Sequence, residues 1–211
     1  MMVRTKILEL TGGPEDRSRI EQAARALAEG KIVVFPTETV YGAGCNASDR
    51  SAVKRLYEIK GRPWNKPLAC YLSSRLGMLR YDVEVALIAE RVMERFWPGP
   101  LTILLARYVG GGRVGFRFPD EENALALIET SGVPVVATSA NRSGGASPMS
   151  GGEAVMAMDG LADIVLKGGV TRCRGESTIV DLSGPAPRLV REGVVTRDEL
   201  EAFLGCACGA D

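Results

Sequence analysis

Three short stretches hold the side chains that could do chemistry. Residues 60–68, KGRPWNKPL, contain three cations, two prolines and no acid. Arg62 and Lys66 each precede a proline, which disfavours helical backbone for the residue before it. With Lys60 to Arg62 extended as well, both side chains project to one side. Such a group reads as an anion clamp, its prolines limiting the entropy lost on ordering. Phosphate suits it, since arginine offers a planar fork and lysine a point charge. A basic helix C-terminus opposing the helix dipole is the simpler alternative, and it stays open at this point. The second stretch, PTETVYGAG (36–44), follows the apolar run KIVVF and supplies hydroxyls from Thr37, Thr39 and Tyr41. The third, TSANRSGGAS (138–147), follows VPVVA and brings Ser139, Asn141, Ser143 and Ser147. Turn chemistry alone accounts for either loop taken singly. Two hydroxyl-rich loops at strand ends, together with a cation clamp, point to a polar ligand site, because open α/β sheets bind ligands beyond the carboxyl ends of their strands.

Composition narrows the chemistry. The chain has 211 residues and no histidine. Ser-His-Asp and Cys-His catalysis and histidine-bound zinc are therefore excluded, and any general base must be Asp, Glu, Lys, Tyr or the substrate itself. Lys+Arg and Asp+Glu both number 26, so an anion site must be a local cluster rather than a global field. Of the five cysteines, Cys45 and Cys70 read as small core residues, and Cys206-Ala-Cys208 as a reduced, incidental pair. GGGRVG (110–115) has spaced glycines but leads into the strand-like VGFRF, whereas a dinucleotide fingerprint opens a helix. No glycine-rich stretch runs into Gly-Lys-Ser/Thr, so there is no P-loop. No apolar run is long enough to span a membrane, and MMVRTKILEL lacks the apolar core of a signal peptide, so the expected location is cytoplasmic.

These loops need a scaffold. Apolar periodicity predicts helices over 16–29, 49–60, 83–96, 122–131, 151–158 and 197–204. Asp49 or Ser48 caps the second, and Thr196 with Glu199 forms a capping box on the last. Strands are predicted at 31–35, 67–72, 101–106, 114–118, 133–138, 162–167, 177–182 and 187–191. Strands alternating with helices, several of them continuously apolar, imply an α/β sheet covered on both faces. Short links late in the chain add antiparallel pairing. A single domain over 1–211 is expected, with PRLVR (187–191) at the end of the sheet and residues 206–211 dispensable.

PTETVYG, then KGRP with KPL, then FRFP, SAN, Glu176-Ser177-Thr178 and VREG run in that order within residues 31–193. This set resembles the YrdC family, the L-threonylcarbamoyladenylate synthases. The resemblance implies a twisted mixed parallel and antiparallel sheet flanked by helices, with a large, open, basic cavity. It implies that ATP, bicarbonate and L-threonine give threonylcarbamoyl-AMP and pyrophosphate, a nucleotidyltransferase reaction. Downstream transferase proteins then carry the threonylcarbamoyl group to tRNA beside the anticodon, and direct contact of this chain with tRNA is left open. By resemblance Lys60 and Arg62 are catalytic and meet the ATP phosphates, with Lys66 in the same segment. Arg113, Ser139, Asn141, Ser147 and Arg191 are assigned to ATP. Thr39, Tyr71, Arg117, Ser177 and the backbone at Ala137 are assigned to threonine, Tyr71 standing where many relatives carry histidine. Mg²⁺ is expected through the phosphates, with no protein metal site. The rival readings are an RNA-binding module using the basic cavity, and carbamoyl adenylation as in hydrogenase maturation.

Overall fold

The computed structural model describes residues 3–210. Eleven strands form one mixed sheet. From one edge the order is β1 (Lys6–Glu9), β8 (Ile164–Lys167), β2 (Val33–Phe35), β3 (Gly42–Asn46), β7 (Val135–Ser139), β4 (Ala69–Tyr71), β6 (Arg113–Arg117), β5 (Leu101–Ala106), β9 (Thr178–Asp181), β10 (Arg188–Arg191) and β11 (Gly209–Ala210). Parallel pairs such as β2–β8 and β5–β9 alternate with antiparallel pairs such as β3–β7 and β5–β6, as the mixed-sheet expectation requires. Among the described residues no helix is long and apolar enough to cross a membrane.

Alternation along the strands builds two cores. Val33 and Phe35 pack with Leu27 of α1 (Asp16–Ala28) and Leu127 of α4 (Glu122–Ser131). Val34, one residue out of phase, faces the other core, with Leu56 of α2 (Arg50–Lys60), Met93 of α3 (Leu87–Phe96), Ala154 of α5 (Gly151–Met158) and Leu200 of α6 (Arg197–Leu204). Each large apolar side chain buried in either core contributes about 1.5–3 kcal/mol relative to exposure.

Several expectations need correction. Residues 42–46, GAGCN, form a central strand rather than part of a glycine loop. Glycines weaken strand propensity, but here they are required sterically. A Cβ on Gly44 would lie 3.0 Å from the Phe35 ring and 3.2 Å from the Ala137 Cβ. The short strands β1 and β11, and a 3-10 turn over Arg75–Arg80, were not foreseen. The helix expected from residue 83 starts at Leu87, because Val83 makes a β-bridge with Arg107. Thr196 does accept the Glu199 N–H at 3.2 Å, but the Glu199 carboxylate pairs with Arg95 at 3.5 Å. A complete capping box forms instead at Ser150 and Glu153.

Lys60 to Arg62 is not extended. Lys60 ends α2, and Gly61 follows in the left-handed region at φ 58°. The C-terminal segment makes contacts of its own; of it, Asp211 lies outside the described residues. Residues 209–210 pair in parallel with β10, so β10 is not the sheet edge. Cys208 is buried; its N–H donates to Glu201 at 2.8 Å and its carbonyl accepts from Arg197 at 2.8 Å. Deleting residues 206–211 is expected to lower stability by roughly 2–3 kcal/mol, the loss of one small buried side chain and two hydrogen bonds. Urea unfolding of the truncated and full chains measures this directly, and equal midpoints would return the tail to the dispensable class.

Candidate functional site

The three loops singled out above meet over the middle of the sheet. One cavity is lined by Thr39 from the loop before β3, Arg62 after α2, Tyr71 of β4, Thr102 of β5, Ala137 and Ser139 of β7, Glu176 and Ser177 before β9, and Arg191 of β10. Ala137 sits in register between Gly44 and Ala69, so the floor is the sheet itself.

The first wall joins the end of α2 to the loop after β7. Lys60 is 3 % exposed, and its ammonium donates to the carbonyls of Ser139 and Asn141, the latter at 2.5 Å, and to Asn141 Oδ1 at 3.2 Å. Burial, with Arg62 nearby, pulls its pKa down to about 8, while Glu176 opposes that shift. Three oxygen acceptors use all three ammonium donors. The Lys60 carbonyl also accepts the Ser143 N–H at 2.8 Å. Asn141 completes the knot, accepting from Ser139 Oγ at 2.5 Å and donating to the Gly145 carbonyl at 2.5 Å. Lys60 therefore does not line the cavity; it borders a separate groove with Arg55, Glu58, Arg142 and Ser143. Arg62 does line it. Its Nε donates to the Lys66 carbonyl at 2.8 Å and its Nη2 to the Pro67 carbonyl at 2.9 Å. Trp64, stacked on Tyr57 at 4.2 Å between ring centroids, braces the same turn. Lys66 contributes its backbone carbonyl to this bracing, and its exposed side chain is not part of the cavity wall.

The opposite wall comes from far along the chain. The Arg191 guanidinium donates from Nε at 3.1 Å and Nη2 at 2.7 Å to the Ser177 carbonyl, and from Nη2 to Ser177 Oγ at 3.1 Å. Its Nη1 pairs with Glu176 Oε2 at 2.5 Å. The other oxygen of Glu176 accepts from Ser147 Oγ. Gly193 permits this geometry, since a Cβ there would lie 2.3 Å from the Glu176 carbonyl oxygen. The Val194 N–H then donates to that carbonyl at 2.9 Å.

Beneath Thr39 lies a buried ion pair. Arg117 is 1 % exposed, and its Nη2 donates to Glu38 at 2.7 Å and to Thr39 Oγ1 at 3.3 Å. Arg117 Nε and Nη1 and Glu38 Oε2 have no hydrogen-bond partner. Tyr71 stands edge-on to Phe35, and burial raises its pKa, so the phenol stays neutral. Arg113, expected at the nucleotide, is not brought here. It pairs with Asp181, which also holds Arg188 at 2.7 Å. Glu38 and Glu176 had no role assigned from sequence. Their signal was a lone acid inside PTETV and directly before Ser177-Thr178.

A family model of the Sua5, YciO and YrdC proteins, described as telomere recombination, matches residues 25–193. A Pyrococcus abyssi protein named threonylcarbamoyl-AMP synthase is 43% identical over 202 residues, covering 90% of this chain and 59% of that protein. A Bacillus subtilis protein of the same name is 39% identical over 196 residues, covering 89% and 57%. The chain thus spans just under three fifths of the length of these two relatives. The crystal structure of P. abyssi Sua5 complexed with L-threonine superimposes with a TM-score of 0.89 at 37% identity, covering 99% of this chain and 63% of that one. The chain belongs to the Sua5/YciO/YrdC family.

The Lys60 knot makes its own forecast. Lys60→Met removes the ammonium from the Ser139 and Asn141 carbonyls, while Asn141 Oδ1 keeps Ser139 Oγ, and is expected to cost about 2–4 kcal/mol of stability. Denaturant unfolding checks this; a loss below ~0.5 kcal/mol, the scale of a neutral surface change, would show that the knot is not structural.

Proposed function

We propose that this chain is an L-threonylcarbamoyladenylate synthase, converting ATP, bicarbonate and L-threonine to threonylcarbamoyl-AMP and pyrophosphate. The observation that carries the reading is the single cavity in which Thr39, Tyr71, Ala137 and Ser177 meet Arg62, Ser139 and Arg191. The relatives of that name and the threonine-bound Sua5 support it. In this scheme the amine of threonine takes up bicarbonate with loss of water to give a carbamate. A carbamate oxygen attacks the α-phosphorus of ATP, and pyrophosphate leaves. The nucleophile is already an anion, so positioning and charge neutralisation carry the reaction. That suits a chain with no histidine.

Arg62 and Arg191 present guanidiniums to the polyphosphate, and Ser139 and Ser147 present hydroxyls. Lys60 acts as a positioning residue through the loop it holds. Arg117 does not line the cavity; paired with Glu38, it donates to Thr39 Oγ1 from beneath and so positions the hydroxyl that faces threonine. Among the described residues no three His, Cys, Asp or Glu side chains cluster in a way that could hold a metal ion. In this reading Mg²⁺ would enter as part of the ATP substrate, held by its phosphates. The product would pass to transferase proteins that modify tRNA next to the anticodon, in the cytoplasm.

Mass spectrometry of the reaction with all three substrates is expected to find threonylcarbamoyl-AMP. Pyrophosphate release that persists without threonine, in bicarbonate-controlled buffer, would sink the reading. Arg62→Ala is expected to lose about 2–3 kcal/mol of transition-state stabilisation, the scale of one preorganised electrostatic contact. Arg62→Lys should also be impaired, because the fork is lost. Arg191→Ala is expected to weaken ATP binding by about 1.5–3 kcal/mol, read by calorimetry; unchanged affinity would remove Arg191 from the site.

A further inference from the structure

Among the described residues Glu176 is the one acidic side chain lining the cavity. Its two oxygens take one hydroxyl, Ser147 Oγ, and one guanidinium nitrogen, Arg191 Nη1. That is the donor set an anionic phosphate uses. Arg62 and Arg191 line the same cavity, so this one anion shares it with two guanidiniums. We propose that Glu176 is an internal competitor for the polyphosphate: its carboxylate occupies the donors of Ser147 and Arg191, and ATP or pyrophosphate must displace it. This rests on the synthase reading for the identity of the ligand and adds a residue that sets how tightly that ligand is held.

Two features favour displacement over a purely supporting role. Arg191 keeps its place without the carboxylate, because its Nε and Nη2 are anchored on the Ser177 carbonyl at 3.1 and 2.7 Å. The Glu176 side chain is 35% exposed while its backbone is fixed by the Val194 N–H at 2.9 Å, so the carboxylate can swing without moving the strand. Once pyrophosphate has been cleaved off and leaves, the carboxylate returns to Ser147 and Arg191 and opposes rebinding of that product.

The test is calorimetric titration of ATP and of inorganic pyrophosphate into the wild-type chain, Glu176→Gln and Glu94→Gln. Glu94 is exposed on α3, so its variant removes one negative charge elsewhere. Glu176→Gln keeps an acceptor for Ser147 and removes the competing charge. It is expected to bind both ligands about five- to tenfold tighter, the span of one half-exposed charged contact. Pyrophosphate should become a correspondingly stronger product inhibitor, while Glu94→Gln matches wild type. Should Glu176→Gln fail to fold, Glu176→Ala is titrated instead and is also expected to tighten binding, since Arg191 stays on Ser177. Equal or weaker binding in the Glu176 variant, or equal tightening in Glu94→Gln, overturns the competitor role alone. A wild-type chain that binds neither ATP nor pyrophosphate overturns the synthase reading, and the competitor role with it.

Discussion

The Lys60 ammonium is the contact on which the site depends. It sits where α2 ends and reaches oxygens of Ser139 and Asn141, roughly eighty positions later in the chain. A buried charge is tolerated only when its donors are matched, and here the matching oxygens belong to the loop after β7. That requirement fixes the loop against the helix terminus. Arg62 then emerges from the turn at Gly61, and Ser139 is presented from the opposite side. The Lys60 charge joins the segments that line the cavity.

The far wall follows a different rule, close backbone approach. Gly193 lets the chain leaving β10 lie against Glu176 and Ser177, which aims the Arg191 guanidinium along the Ser177 carbonyl. Between the two walls the sheet surface is nearly bare: Ala69, Gly115 and Ala137 occupy adjacent strands. Small residues at the centre of the sheet leave the room that the arginines and hydroxyls surround. In β3, whose Gly42 and Gly44 lie against Phe35, the same smallness hides the strand from propensity reasoning.

Much of the scaffold was legible in the sequence. Residues 122–131, 151–158 and 197–204 are helical with the expected bounds, because each carries an apolar stripe and a clear start or stop. The three loops do converge: two follow buried strands, and the third leaves the end of α2. What sequence could not supply was the direction of individual side chains. Lys60 and Arg62 are two apart, yet one turn of left-handed backbone at Gly61 sends them to different surroundings. Arg113 and Arg117 lie on one strand; Arg113 is drawn to Asp181 and Arg117 to Glu38, partners distant in sequence that no local pattern names. The tail was misread for a similar reason: β11 has only two residues, and its pairing with β10 leaves no periodic trace.

The order of the strands carries a consequence for how the chain matures. β1 pairs with β8 and β5 with β9, so neighbours in the sheet are separated by long intervening sequence. Non-local pairing of this kind slows folding, because loop closure must precede the contacts that reward it. The cavity wall runs from Thr39 to Arg191. A nascent chain emerging from the ribosome thus holds its hydroxyl loops and its first arginine long before the last wall has been synthesised. The complete set of cavity-lining side chains is consequently present only once Arg191 has been synthesised.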